Sequence, residues 1–116
     1  MKRLLKSFRY AFNGIASAFS EQPNLRIHGV IVALVVGAGF YFGLNESEWL
    51  AVVLAIGLVV TAELFNTSLE HMVNFVSPQR QPLAGNIKDI AAGAVLLAAI
   101  TSGIVGCIVF SRYLFP

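Results

Sequence analysis

The chain has 116 residues, of which 57% are hydrophobic and only 12% are charged, and its mean hydropathy is +0.76. This composition excludes an ordinary soluble domain and predicts a small integral membrane protein. The net charge of +2 is too small to indicate a nucleic-acid partner, and the single cysteine excludes an intrachain disulfide and a cysteine-based zinc site.

Residues 1–27 predict an amphipathic surface helix followed by a turn. Basic and polar residues occupy the face opposite a set of apolar residues at helical spacing. A helix of this kind suits the anionic cytoplasmic leaflet of a membrane. The same pattern also fits a helix packed on a partner protein, with its basic face solvated. The apolar set is Leu4, Leu5, Phe8, Phe12, Ile15 and Phe19.

Residues 28–116 predict three transmembrane helices, which with the N-terminal helix form one all-α membrane domain. The apolar runs are Gly29–Leu44, Trp49–Ala62 and Ile90–Phe110. A span needs about 20 helical residues, so the shorter runs must include flanking residues. The polar segment 45–48 predicts a tight turn, and the linker 77–82 contains two prolines that disfavour helix.

Lysine and arginine residues predict the orientation of the chain in the membrane. They precede the first span and recur at Arg80 and Lys88, between the second and third spans, whereas the first turn has none. The positive-inside rule then places the N-terminus and the second loop in the cytoplasm. Arg112 lies on the opposite side, where it would be an interfacial anchor.

A polar stripe lies at the end of the second apolar run. At about 100° per residue, Glu63, Asn66, Glu70 and Asn74 share one face of a helix. A carboxylate in hydrocarbon costs roughly 2.5 to 3.5 kcal/mol on insertion scales, so the stripe predicts a functional site. Pairing of the carboxylates with basic residues of a neighbouring helix is the structural alternative.

The stripe, together with polar groups on the neighbouring segments, favours phosphoryl transfer. Lys88 and Asp89 open the third span, and Glu21 and Gln22 end the N-terminal helix. Oxygen ligands can hold Mg²⁺ on nucleotide phosphates, a lysine can neutralise the transferred group, and a carboxylate can accept the proton of an attacking hydroxyl. The chain has no phosphate-binding loop of the G-x-x-x-x-G-K-[ST] type, so a nucleotide must be held differently.

Two sequence elements resemble a known family. They are E-L-F-N-T-S-L-E at 63–70 and, after P-L-A at 82–84, K-D-I-A-A-G-A-V at 88–95. In combination they closely resemble the small integral-membrane diacylglycerol kinases of bacteria and their undecaprenol kinase relatives. The resemblance implies a homotrimer in the bacterial inner membrane, with active sites between subunits at the cytoplasmic interface and with ATP and Mg²⁺ as cosubstrate and cofactor.

The resemblance also implies roles for individual residues. Glu63 matches the general base that deprotonates the lipid hydroxyl, Glu70 matches a magnesium ligand, and Asn66 matches a residue that orients the catalytic groups. The positions that match nucleotide contacts are Arg3, Tyr10, Gln22, Glu70, Gln79, Gln81, Lys88 and Asp89.

The chain departs from the family pattern at several of these positions. Gln22 stands where a second metal-binding glutamate is usual, with Glu21 one residue earlier, so both are candidate metal ligands. Asn74 stands where aspartate is common, and Gln79 and Gln81 stand where glutamate and histidine are common. A metal site with less negative charge should bind Mg²⁺ more weakly or leave more of its coordination to the nucleotide phosphates.

The expected activity is therefore transfer of the γ-phosphoryl group of ATP to a membrane lipid alcohol. Diacylglycerol and undecaprenol both remain open as the acceptor. A small ion-coupled transporter is the alternative from another class, because an intramembrane glutamate also occurs in proton-coupled exporters. A non-enzymatic scaffold would explain the spans but not the polar stripe.

Overall fold

A computed structural model describes all 116 residues, which form four helices joined by short connections and no strands. They are α1 (Lys2–Glu21), α2 (Pro23–Phe42), α3 (Glu46–Val76) and α4 (Pro82–Leu114). The last three are long and apolar enough to cross a membrane. The predicted all-α membrane architecture with three spans is confirmed. Helices α3 and α4 extend beyond both ends of their apolar runs, whereas α2 begins before its run and ends at Phe42, within it.

The break between α1 and α2 is confined to Gln22. This residue has an extended backbone, with φ −107° and ψ 109°, and Pro23 follows as the first residue of α2. Proline is well tolerated there, because its fixed φ suits a helix and its missing N–H would have had no intrahelical partner. The first span therefore begins before residue 28.

The predicted turn at 45–48 is shorter than expected, because three of its residues belong to α3. Asn45 caps the helix by accepting a hydrogen bond from the Glu48 backbone N–H, and the Glu48 side chain accepts one from the Asn45 N–H. This capping box satisfies two backbone donors reciprocally. The chain reverses direction at Gly43 and Leu44, and the φ of 70° at position 43 favours glycine.

Helices α3 and α4 form the best-packed pair of the chain. Val52 and Val109 are buried against Leu44, and Ser102 Oγ donates a hydrogen bond to the Ala55 carbonyl oxygen at 2.9 Å. At the Gly43 end of the pair, Glu48 is buried and accepts hydrogen bonds from Tyr113 and Arg112 of α4. Arg112, which the sequence predicts as an interfacial anchor, contacts the start of α3 in the structure.

Most of the large apolar side chains of the chain face outward. On α3 and α4, Leu54, Phe65 and Leu97 are exposed, and the apolar face of α1 is equally uncovered, with Phe8 and Phe12 exposed. For the spans this is the pattern expected of surfaces that meet lipid or other membrane helices.

Candidate functional site

Glu63 is held between two spans. Its side chain is only 5% exposed, and Oε1 lies 3.2 Å from Nε2 of His28 on α2. Thr67, one turn later on α3, donates a hydrogen bond from Oγ1 to the Glu63 carbonyl oxygen at 2.9 Å. The carboxylate predicted as the general base is therefore buried beside an imidazole.

Asn66 and Glu70 form the next part of the stripe. Asn66 Nδ2 donates a hydrogen bond to Glu70 Oε1 at 3.2 Å, one helical turn away. Asn66 Oδ1 is buried and has no hydrogen-bond partner. A buried oxygen without a donor is energetically unfavourable, and such an atom calls for an explanation such as a bound ion or water.

The end of α1 reaches α3 through Glu21. Its Oε2 lies 2.9 Å from His71 Nε2, and Ser17 Oγ donates a hydrogen bond to its Oε1 at 3.3 Å. A groove of about 430 Å³ opens beside this contact; we call it the α1–α3 groove. Its polar lining consists of Tyr10, Ser17, Thr67, Ser68 and His71.

Lys88 lies at the other end of the stripe. Its Nζ donates a hydrogen bond to Asn74 Oδ1 at 2.6 Å. Both residues line a cavity of about 500 Å³ beneath the 77–82 linker, which we call the loop cavity; Gln79 and Gln81 also line it. Within the chain Lys88 makes no ion pair with either glutamate of the stripe, and its ammonium group contacts Asn74 in the last turn of α3 instead.

The predicted residues are therefore distributed among several contacts rather than joined in one cluster. Glu63 faces α2, Glu21 and Tyr10 belong to the α1 side, and the loop residues meet Lys88. Gln22 is half-buried at the helix break, whereas the Arg3 and Asp89 side chains are exposed. No group of three or more His, Cys, Asp or Glu side chains lies close enough to hold a metal ion.

Neither histidine of the site was predicted from the sequence. His28 immediately precedes the charge-free run that begins at Gly29, so it belongs neither to that run nor to the polar stripe of the second span. His71 follows Glu70 and falls off the face defined by the stripe. His28 could have been identified from the sequence, because a titratable residue near the end of a membrane helix commonly pairs with another polar group in the bundle.

Comparison with known proteins identifies the family. The model of the prokaryotic diacylglycerol kinase family matches residues 9–110. An undecaprenol kinase of Bacillus subtilis is 36% identical over 110 residues, which cover 95% of this chain and 89% of that protein.

Two further relatives are named diacylglycerol kinase. The protein from Synechocystis is 44% identical over 104 residues, covering 89% of this chain and 59% of that protein. The protein from Escherichia coli K12 is 27% identical over 106 residues, covering 91% and 87%. The family and these relatives give no support to the transporter alternative. This chain belongs to the prokaryotic diacylglycerol kinase family of membrane lipid kinases.

Proposed function

We propose that this protein transfers the γ-phosphoryl group of ATP to the hydroxyl of undecaprenol or diacylglycerol, with Glu63 as the general base. The observation that carries the proposal is the burial of the Glu63 carboxylate in a spanning helix beside His28. A carboxylate in such a place is costly, and a proton-accepting role at a lipid hydroxyl gives it a function.

In the proposed reaction the acceptor O–H bond breaks, and its proton passes to a Glu63 carboxylate oxygen. The acceptor oxygen forms a bond to the γ-phosphorus of ATP as the bond from that phosphorus to the β–γ bridging oxygen breaks. ADP leaves, and the lipid phosphate remains in the membrane. Glu63 then releases its proton to water, which restores the base.

Mg²⁺ is the proposed cofactor, and when bound with ATP it would neutralise phosphate charge. Asn66 and Glu70 fit such an ion, since both offer oxygen ligands and Asn66 Oδ1 is buried without a hydrogen-bond donor. Glu21 and Gln22 are both candidates for a further oxygen. The Glu21 carboxylate contacts α3 at His71, and Gln22 is half-buried at the helix break.

The proposed nucleotide contacts come from both sides of α3. Lys88, Gln79 and Gln81 line the loop cavity, where an ammonium group and two carboxamides suit phosphate or ribose oxygens. Tyr10 lines the α1–α3 groove. Arg3 and Asp89 are assigned by resemblance to the family and are exposed.

A homotrimer with sites between subunits is part of the proposal. It is supported by the separation of Glu63 from Lys88, and by the outward-facing apolar side chains of the spans. Mixing inactive Glu63→Gln chains with inactive Lys88→Gln chains tests it. Sites shared between subunits would regain part of the activity in mixed oligomers, whereas sites contained in one chain would stay inactive.

The proposed location is the bacterial inner membrane, with the N-terminus in the cytoplasm and α1 on the membrane surface. Lysines and arginines concentrated in residues 2–26 and at positions 80 and 88 support this orientation. The uncovered apolar face of α1 supports a helix lying on the bilayer.

The test of class and acceptor is transfer of labelled phosphate from ATP, in detergent with Mg²⁺, to undecaprenol, diacylglycerol and a simple long-chain alcohol in parallel. Labelled lipid phosphate that requires the native Glu63 supports the proposal, and the ratio of kcat/KM values between acceptors identifies the substrate. A pure, folded protein that phosphorylates none of the lipids would refute it.

A further inference from the structure

We propose that His28 is a positioning residue for Glu63, a role that rests on the proposed function of Glu63 as the base. His28 Nε2 lies 3.2 Å from Glu63 Oε1, and it is the one basic side chain that reaches this carboxylate. By holding Oε1, the imidazole fixes the carboxylate plane and leaves Oε2 to meet the acceptor hydroxyl.

The burial of the pair supports this role. The Glu63 side chain is 5% exposed and that of His28 is 22% exposed, so water has little access to the carboxylate and partial access to the imidazole. An electrostatic contact is stronger in such surroundings than at a surface. A carboxylate without a partner there could rotate about its last torsion, which is broad for glutamate.

The position of His28 also connects Glu63 to an apolar groove. The groove, of about 330 Å³, lies between α2, α3 and α4, and His28 is the only ionisable residue that lines it. The other polar side chain of its lining, Ser102, already donates its hydrogen bond to Ala55. His28 thus contacts Glu63 and also lines the groove, where it is the only ionisable side chain.

The test measures kcat and the KM for ATP in His28→Leu and His28→Gln, with Ser102→Ala as a matched control in the same groove. His28→Leu removes the ring nitrogen at similar size, and we expect kcat to fall about 10- to 100-fold with the ATP KM unchanged. His28→Gln keeps an N–H donor at about the same distance along the side chain as the ring nitrogen Nε2, and its kcat should stay within about threefold of the native value. Ser102→Ala should have native kcat.

A double-mutant cycle separates positioning from a merely structural role. If His28 acts through Glu63, adding His28→Leu to Glu63→Gln should lower the residual kcat by less than about threefold. If the kcat losses of His28→Leu and Glu63→Gln multiply in the double variant, the proposal is overturned. Native kcat in His28→Leu, or a kcat loss in His28→Gln as large as that in His28→Leu, would also overturn it. The failure of the base assignment looks different, because Glu63→Gln alone would then have native turnover.

If His28→Leu does not fold, a comparison of His28→Gln with His28→Asn provides the test. His28→Asn carries a carboxamide that is one carbon shorter than that of His28→Gln, so it cannot span the same distance. A folded His28→Gln with at least tenfold higher kcat than a folded His28→Asn supports positioning by the N–H group. Equal kcat values in these two proteins would overturn it.

Discussion

Replacing Glu63 by glutamine is the most direct perturbation of the proposed chemistry. The side chain keeps its size, and its amide oxygen can occupy the place of Oε1 beside His28. The hydrogen bond from Thr67 goes to the Glu63 main-chain oxygen, so the substitution leaves it intact. The fold should therefore persist while the proton acceptor is lost.

The expected size of the effect follows from the role of a general base. Such a group contributes about 10²- to 10⁴-fold to the rate. At 1.36 kcal/mol per tenfold, that range corresponds to about 2.7 to 5.4 kcal/mol of activation free energy. The loss should appear in kcat, because the substitution leaves the proposed ATP contacts in place.

The assay is the rate of phosphate transfer from labelled ATP to the preferred lipid at saturating Mg²⁺. Glu46→Gln is the matched control, since Glu46 is an exposed glutamate in the first turn of the same helix. It should have native turnover. A folded Glu63→Gln protein with near-native turnover would refute the assignment of the base.

Three other outcomes are expected. Glu70→Gln should raise the Mg²⁺ concentration for half-maximal activity by about tenfold or more, because a neutral oxygen attracts a hard cation less; an unchanged Mg²⁺ titration would indicate a structural carboxylate. Gln22→Glu should lower the Mg²⁺ concentration for half-maximal activity if position 22 faces the metal. If Gln22→Glu leaves this concentration unchanged and Glu21→Ala is inactive, the ligand is Glu21. Gly39→Ala should destabilise the fold by about 1–3 kcal/mol in thermal unfolding, because its Cβ would lie 2.5 Å from the ring of the only tryptophan. Gly37→Ala, with open space at its Cβ, is its control, and equal unfolding temperatures would contradict the packing argument.

The spans could be predicted from the sequence because long charge-free runs have few alternatives to a membrane helix. Their ends could not, because they depend on local hydrogen bonds and backbone angles. The polar residues 46–48 are predicted as part of a turn, but the capping box makes them the first turn of α3. Pro23 read as part of a turn, yet it begins α2.

The placement of Glu63, Asn66 and Glu70 on one helix could also be predicted, but not the partners of these residues. All three lie on α3, and Asn66 hydrogen-bonds to Glu70 as their helical spacing predicts. Helical periodicity carries no information about which neighbouring helix meets each turn of that stripe. The contact of Glu63 with His28, between α2 and α3, therefore required the structure.

The arrangement of these partners bears on how the site is assembled. Glu63 and Asn74 are eleven residues apart on α3, which is about 16 Å of helix at 1.5 Å per residue. Lys88 hydrogen-bonds to Asn74, so its ammonium group lies toward the opposite end of the stripe from the proposed base. A phosphoryl group close to Glu63 would be too far for this Lys88 to neutralise without releasing Asn74. Either ATP extends along α3, with another part of the nucleotide at Lys88, or a neighbouring chain supplies the lysine. The mixed-oligomer experiment distinguishes these arrangements, because only the second restores activity between two inactive chains.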